Sequence, residues 1–189
     1  MLVRLQWYPL TKSQTMKTSY KIFALCLGLF TIAFGNLLAQ DKPSPAASVS
    51  EKIKSGATVS INYSSPALKG RTMGKDVEPM EGKVWRAGAN NATVFEVDKD
   101  VKIEGKALPA GKYAFFTLKN GDDWTLIFNK TWDTWGAFDY EKNKGEDALQ
   151  VSVKPKKAVT ASERLTYTID KSGKVSLLWG DLDVSFNVK

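Results

Sequence analysis

The sequence predicts an all-β fold: a single-domain antiparallel β-sandwich, jelly-roll-like, with about nine strands. Three observations predict it. Apolar and polar residues alternate with a period of two over much of the chain, residues that favour turns separate the alternating runs, and no long segment has helical periodicity. The chain has 189 residues, of which 43% are hydrophobic, and this composition suits one domain with a substantial core.

Residues 1–39 are interpreted as a signal peptide for export. The apolar run 22–34 follows Lys17 and Lys21, and the expected cleavage site follows Ala39. A basic start, an apolar stretch of about 7–15 residues and a small residue at the exit are typical of secretory signals, whereas a membrane-spanning helix needs about 20 apolar residues. Met16 is an alternative start of this signal, and a buried core helix is the alternative interpretation. The mature protein is therefore expected to be periplasmic or secreted.

Residues 40–50 are rich in Pro, Ser and Ala and are expected to form an extended lead-in to the sandwich domain, 51–189. A helical turn or two is expected at most at 48–54. The alternation predicts strands in this order along the chain: 59–63, 93–97, 101–103, 113–118, 124–128, 149–153, 165–169 and 182–188. The pair Asn120-Gly121 separates the two aromatic strands and is a strong hairpin signal.

Composition excludes several classes of site. Histidine is absent, and the single cysteine, Cys26, lies in the leader, which excludes histidine-based triads, zinc fingers and a disulfide scaffold. Residues 1–40 hold four of the 27 basic residues and none of the 20 acidic ones. The remainder of the chain therefore has 23 basic and 20 acidic residues, which is close to charge balance. We therefore expect no cofactor, no metal and no nucleic-acid partner, no transmembrane segment in the mature chain, and a monomer.

Several segments carry a family resemblance. They are INYSSPALKGR at 61–71, VWRAGANNAT at 84–93, LPAGKYAFFTL at 108–118, WTLIFN at 124–129 and WGAFDY at 135–140. In this order, the segments resemble the domain of unknown function 2911 family over about residues 44–156. The members of that family are exported proteins of Gram-negative bacteria. The resemblance implies export and a single compact domain. It implies no activity, because no catalytic residues are established for the family.

The most polar motif, at 84–93, is the first candidate ligand site. Arg86 offers a planar fork of donors that suits carboxylate, phosphate or sulfate. Asn90 can donate and accept hydrogen bonds, and Trp85 adds an apolar face. Arg71 ends an earlier strand and would add a second guanidinium to the same pocket. In the structural alternative, Arg86 pairs with an acidic neighbour, an Asn caps the turn, and Arg71 is solvated.

The loop 131–141 is the second candidate, because it crowds four aromatic residues beside acidic ones. Trp135 and Tyr140 are predicted to form the apolar wall of the arginine pocket, and such rings can also stack on sugars. The alternative is that the loop folds its rings back as a plug on an open end of the sandwich.

These candidates favour a binding protein without catalysis, whose ligand is a polar small molecule, a glycan or an envelope partner. The first alternative is a carbohydrate-active enzyme using two carboxylates. Its candidate acids are Glu78, Glu81, Glu96 and Asp139, among which no spacing singles out a pair. The second alternative is a purely structural envelope protein.

Overall fold

The computed structural model describes residues 43–189, so the predicted signal peptide lies outside the described residues. The all-β prediction is confirmed, with eleven strands and one short helix in this range. The strands are β1 (Ala46–Lys52), β2 (Thr58–Ser64), β3 (Val84–Trp85), β4 (Thr93–Val97), β5 (Val101–Ile103), β6 (Lys106–Leu108), β7 (Gly111–Asn120), β8 (Asp123–Asn129), β9 (Asp147–Val153), β10 (Lys156–Ile169) and β11 (Lys174–Asn187). The helix α1 (Tyr140–Asn143) is followed by a 3-10 turn, Lys144–Glu146.

The strands form two unequal main layers. One is a seven-stranded sheet in the order β1-β2-β4-β7-β8-β9, with β3 also paired to β7, and all its pairings are antiparallel. The other is the long ribbon of β10 and β11, and β5 and β6 form a small separate pair. One hydrophobic core joins the inner face of the sheet to the ribbon. The architecture is therefore a sandwich whose second layer is a single hairpin.

Aromatic side chains dominate this core. Phe95, Phe115 and Phe128 lie on adjacent strands of the sheet, and Phe186 of β11 faces them from the ribbon. The ring centroids of Phe115 and Phe186 are 5.6 Å apart, and those of Phe115 and Phe128 are 5.2 Å apart. Large rings remove much apolar area from water at once, so this cluster accounts for much of the burial between the layers.

The central strands β7 and β8 are buried on both faces. On the outer face, Ala114, Phe116 and Ile127 form a second, smaller cluster with Ala92 and Tyr140. Tyr140 comes from the loop between β8 and β9, which therefore covers part of the outer face. This explains why the β7 sequence is apolar at consecutive positions instead of alternating.

Strand β1 was not predicted. The helical turn expected at 48–54 is wrong, because all seven residues of Ala46–Lys52 pair with β2 in an unbroken antiparallel register. Exposed and half-buried residues alternate along β1, as they do in a strand with one covered face. Pairing with the edge of β2 satisfies backbone groups over the full length of the strand, which outweighs the weak helical tendency of this segment.

Strand β10 contains an irregularity that alternation could not reveal. The register with β11 moves from Lys157↔Leu182 to Ser162↔Gly180, so four residues of β10 lie opposite one residue of β11. These residues bulge outward, and Val159 is fully exposed. A large bulge of this kind changes the direction of the strand, but it leaves no recognisable pattern in the spacing of apolar residues.

Two glycine turns fix the ends of hairpins. At the predicted Asn120-Gly121 turn, Gly121 has φ +60°, and the flanking residues Asn120 and Asp123 pair, which confirms the hairpin. Between β10 and β11, Gly173 has φ +90°, and its carbonyl accepts a hydrogen bond from the Val188 N–H at 2.8 Å. The chain passes so close that a Cβ on Gly173 would lie 2.0 Å from the Val188 carbonyl oxygen.

Over residues 43–189, no helix is both long and apolar enough to cross a bilayer.

Candidate functional site

A cavity of about 330 Å³ opens beside strand β3. Its walls come from the connection 65–83 between β2 and β3, the turn that follows β3, and strand β11. Three of the predicted site residues line it, Arg71, Trp85 and Arg86, together with Trp179 of β11. We call this the arginine cavity.

Two stacked indoles form the apolar part of the arginine cavity. The rings of Trp85 and Trp179 are 5.8 Å apart with an interplanar angle of 21°. The indole N–H of Trp85 donates to the Gly88 carbonyl at 3.0 Å. The side chain of Trp179 is only 2% exposed, and its Nε1 has no hydrogen-bond partner among residues 43–189. A buried N–H without an acceptor is rare in proteins, which makes the Trp179 indole an unusual feature of this wall.

Arg71 is exposed and partly fixed by the connection that carries it. Its Nε donates to the Leu68 carbonyl at 2.9 Å, and its Nη2 donates to the Ala67 carbonyl at 2.7 Å. These bonds hold the guanidinium plane while leaving Nη1 for another acceptor. Arg71 is therefore a positioned cation instead of a freely moving one.

Arg86 is half-buried and lacks the acidic partner of the structural alternative. Within the described chain it forms no ion pair, and its Nε is buried without a hydrogen-bond partner. Its guanidinium lies against the aromatic loop: Cζ is 6.0 Å from the centre of the Phe138 ring, and Nη1 lies 2.6 Å from the position of a Cβ on Gly136. The cation is thus held by packing and by a ring face.

Two carboxylates, Asp76 and Glu78, also line the arginine cavity. Asp76 accepts a hydrogen bond from the Thr72 N–H at 2.9 Å, and Glu78 accepts one from the Met80 N–H at 2.7 Å. Each bond uses one carboxylate oxygen and leaves the other as an acceptor. The cavity therefore offers both cationic donors and anionic acceptors around its indoles.

Asn90 lies in the turn beside the cavity and is used structurally. Its backbone has φ +59°, and its side-chain amide donates to the Ser64 hydroxyl at 3.2 Å and, more weakly, to the Ser44 carbonyl at 3.4 Å. Asparagine tolerates this left-handed conformation better than most residues. Asn90 thus ties the turn to Ser44 and Ser64 near the start of the domain, instead of capping the carbonyls of its own turn.

The structure separates the two aromatic residues that were predicted to share a wall. Trp135 is 63% exposed and is not among the residues that line the arginine cavity. Tyr140 is buried in the outer-face cluster, lines a different cavity, and donates its hydroxyl to Asp147 at 2.7 Å. Burial raises the pKa of the Tyr140 hydroxyl above its ordinary value of 10, and the bond to Asp147 raises it further. Tyr140 is not brought to the arginine cavity.

The carboxylates proposed for a glycosidase do not all line the arginine cavity. Glu78 lines the arginine cavity, whereas the other three bind lysines on the surface. These contacts are Glu81 to Lys119 at 3.4 Å, Glu96 to Lys112 at 3.5 Å and Asp139 to Lys142 at 2.7 Å. Among the residues that the structure describes, no group of three or more potential metal ligands is present.

A comparison with protein families identifies the family of the chain. The family model described as "Protein of unknown function (DUF2911)" matches residues 44–188. The chain belongs to the DUF2911 family. No curated protein and no solved structure matches the chain. The DUF2911 match extends past residue 156 and includes β10 and β11, so the ribbon that carries Trp179 belongs to the family domain.

Trp179, like Asp76, is a cavity residue of this DUF2911 chain that sequence reasoning missed. It lies in the apolar run of β11, where a buried tryptophan looks like any core residue. The available signal was the second tryptophan itself, since an indole N–H needs an acceptor wherever it is buried. The stacking with Trp85 depends on β11 packing beside β3 in the folded chain, which no local sequence pattern predicts.

Proposed function

We propose that this DUF2911 protein is an exported binding protein whose arginine cavity takes a small polar molecule with an acidic group. The observation that carries the proposal is Arg86, whose buried Nε has no acceptor among the described residues. Leaving a buried donor unsatisfied costs about 1–3 kcal/mol, and a ligand carboxylate, sulfate or phosphate would recover that cost. Charge-assisted bonds to a guanidinium are also stronger than neutral ones.

The rest of the cavity supports a ligand that also carries hydroxyl groups. Asp76 and Glu78 each keep a free carboxylate oxygen that can accept a hydrogen bond from a hydroxyl. The stacked indoles offer apolar contact to the carbon skeleton. An acidic sugar combines these properties, and a cavity of about 330 Å³ lies at the small end of the usual range for small-molecule sites.

Replacing Arg86 with alanine tests this proposal. We expect glucuronate to raise the melting temperature of the wild type but not of Arg86→Ala, while glucose raises neither. Without ligand, Arg86→Ala should melt within a few degrees of the wild type, because it breaks no ion pair. A thermal-shift titration measures both properties, and Lys130→Ala is the control for removing one exposed cation.

Two outcomes would contradict the site. In the first, glucuronate stabilises Arg86→Ala as much as the wild type. In the second, the variant loses about 3–5 kcal/mol of stability without ligand, the loss expected when a buried ion pair is broken.

Export is proposed on the character of residues 1–39. Mass spectrometry of the protein from the cell envelope or the medium should find a chain beginning near Gln40. Finding a mature cytoplasmic protein that retains residues 22–34 would contradict export. It would not contradict the proposed binding site.

A further inference from the structure

A second cavity, of about 280 Å³, is also lined in part by the connection 65–83. It shares no lining residue with the arginine cavity. Its apolar walls are Met73, Pro79, Trp124 and Leu182. Its polar lining includes Lys119, Lys156, Lys157 and Asp181. We call this the lysine cavity.

The apolar walls of the lysine cavity are held in place by the core. Trp124 and Pro79 are buried, and Met73 and Leu182 are partly buried against the main core cluster. A Cβ on Gly180 would lie 2.8 Å from the methyl carbon of Met73, so the glycine lets the methionine lie flat on the ribbon. A methionine can adapt its shape to an apolar ligand. The cavity thus has an apolar floor that needs no rearrangement to form.

Positive charge on the cavity lining is not balanced by the chain. Lys119 is paired with Glu81 at 3.4 Å, but neither Lys156 nor Lys157 has a carboxylate within 4 Å in the part of the chain that the structure describes. Asp181 is the single acidic residue in the lining, against three lysines. Unpaired ammonium groups beside an apolar floor favour a ligand that is acidic at one end and apolar at the other.

We propose that the lysine cavity binds a small amphiphile with a carboxylate head and a medium-length acyl chain, of which octanoate is the probe. The acyl chain contacts Met73, Trp124 and Leu182, and the carboxylate meets the amine of Lys157, which pairs with Leu182 and lies on the same face of the ribbon. This site is independent of the one proposed at Arg86, because the two cavities share no residue. It also gives a role to the lysine-rich segment 154–157, which the proposed acidic-sugar site does not use.

Calorimetric titration with octanoate, octanol and acetate tests the class of ligand. We expect octanoate to bind the wild type, and octanol and acetate to bind at least about tenfold more weakly, because each lacks one of the two contacts. If octanol binds as tightly as octanoate, the lysines do not recognise the head group. If acetate binds as tightly, the apolar walls contribute nothing. Either result overturns the proposal, as does an absence of octanoate binding.

Octanoate binding by substituted proteins tests which cavity holds the molecule. The double variant Lys156→Glu, Lys157→Glu should weaken octanoate binding about tenfold or more, while Lys130→Glu, an exposed reversal elsewhere, should bind as the wild type does. Both changes are at exposed positions, so a thermal melt should show folded protein in each case. Arg86→Ala should keep full octanoate affinity. Octanoate binding that survives the lysine reversals but disappears in Arg86→Ala would assign the molecule to the arginine cavity and overturn the proposal.

Discussion

Replacing Phe128 with alanine is expected to lower the free energy of unfolding by about 3–5 kcal/mol. Phe128 is fully buried at the centre of the aromatic cluster, with ring centroids 5.0 Å from Phe95 and 6.1 Å from Phe186. The substitution loses the transfer free energy of the ring and leaves a cavity that the rigid sheet cannot close. Since small domains have about 5–15 kcal/mol in total, the loss is a large share of the stability.

The same substitution at Phe138 is the matched control. Phe138 is 75% exposed on the aromatic loop, so Phe138→Ala should change the free energy of unfolding by no more than about 0.5 kcal/mol. Urea unfolding followed by tryptophan fluorescence measures both variants. If Phe138→Ala were as costly as Phe128→Ala, the loop would be a packed plug of the sandwich, the alternative raised for it from sequence.

Replacing Gly173 with alanine is expected to lower the free energy of unfolding by about 3 kcal/mol or more. Two effects contribute to this loss. A side chain at φ +90° is strained by about 1–2 kcal/mol, and the new Cβ would collide with the Val188 carbonyl oxygen at 2.0 Å. Relieving the collision requires the backbone at Val188, just after β11, to move, and overpacking of this kind costs a further ~1–3 kcal/mol.

Gly105→Ala separates these two effects. Gly105 has a similar φ of +82°, but nothing lies within 4 Å of its potential Cβ. Gly105→Ala should therefore lower the free energy of unfolding by the backbone strain alone, about 1–2 kcal/mol. Thermal and urea unfolding of both variants give the comparison. Equal losses would show that the close approach of Val188 to Gly173 is relieved without cost.

The fold was predictable where a local pattern determines it. The alternation around Ile61, Phe95 and Leu126 identified strands because one face of each is covered and side chains alternate with a period of two. The hairpin at Asn120-Gly121 was predictable because its positive φ at glycine is a local requirement. Strand β1 was missed because its covered face is only half-buried, which leaves a weak apolar signal.

The candidate site was predictable only in its residue types. Arg71, Trp85 and Arg86 meet at one cavity, but their meeting depends on the path of the connection 65–83, which has no regular structure to infer. Tyr140 was assigned to the same pocket because it is near Trp135 in sequence. The loop instead leaves Trp135 exposed and buries Tyr140 in the outer-face cluster. Nearness in sequence does not fix the direction of a side chain in a loop.

The placement of the ribbon has a consequence for how the chain reaches its native state. Strands β10 and β11 follow the entire seven-stranded sheet in the sequence, and they supply the layer that covers its aromatic face. While a ribosome is still synthesising the ribbon, the rings of Phe95, Phe115 and Phe128 have no partner layer. Contacts between distant parts of a chain form slowly, and uncovered apolar surface promotes aggregation during that delay. The aromatic face of the sheet therefore stays uncovered until the chain has been synthesised past Phe186.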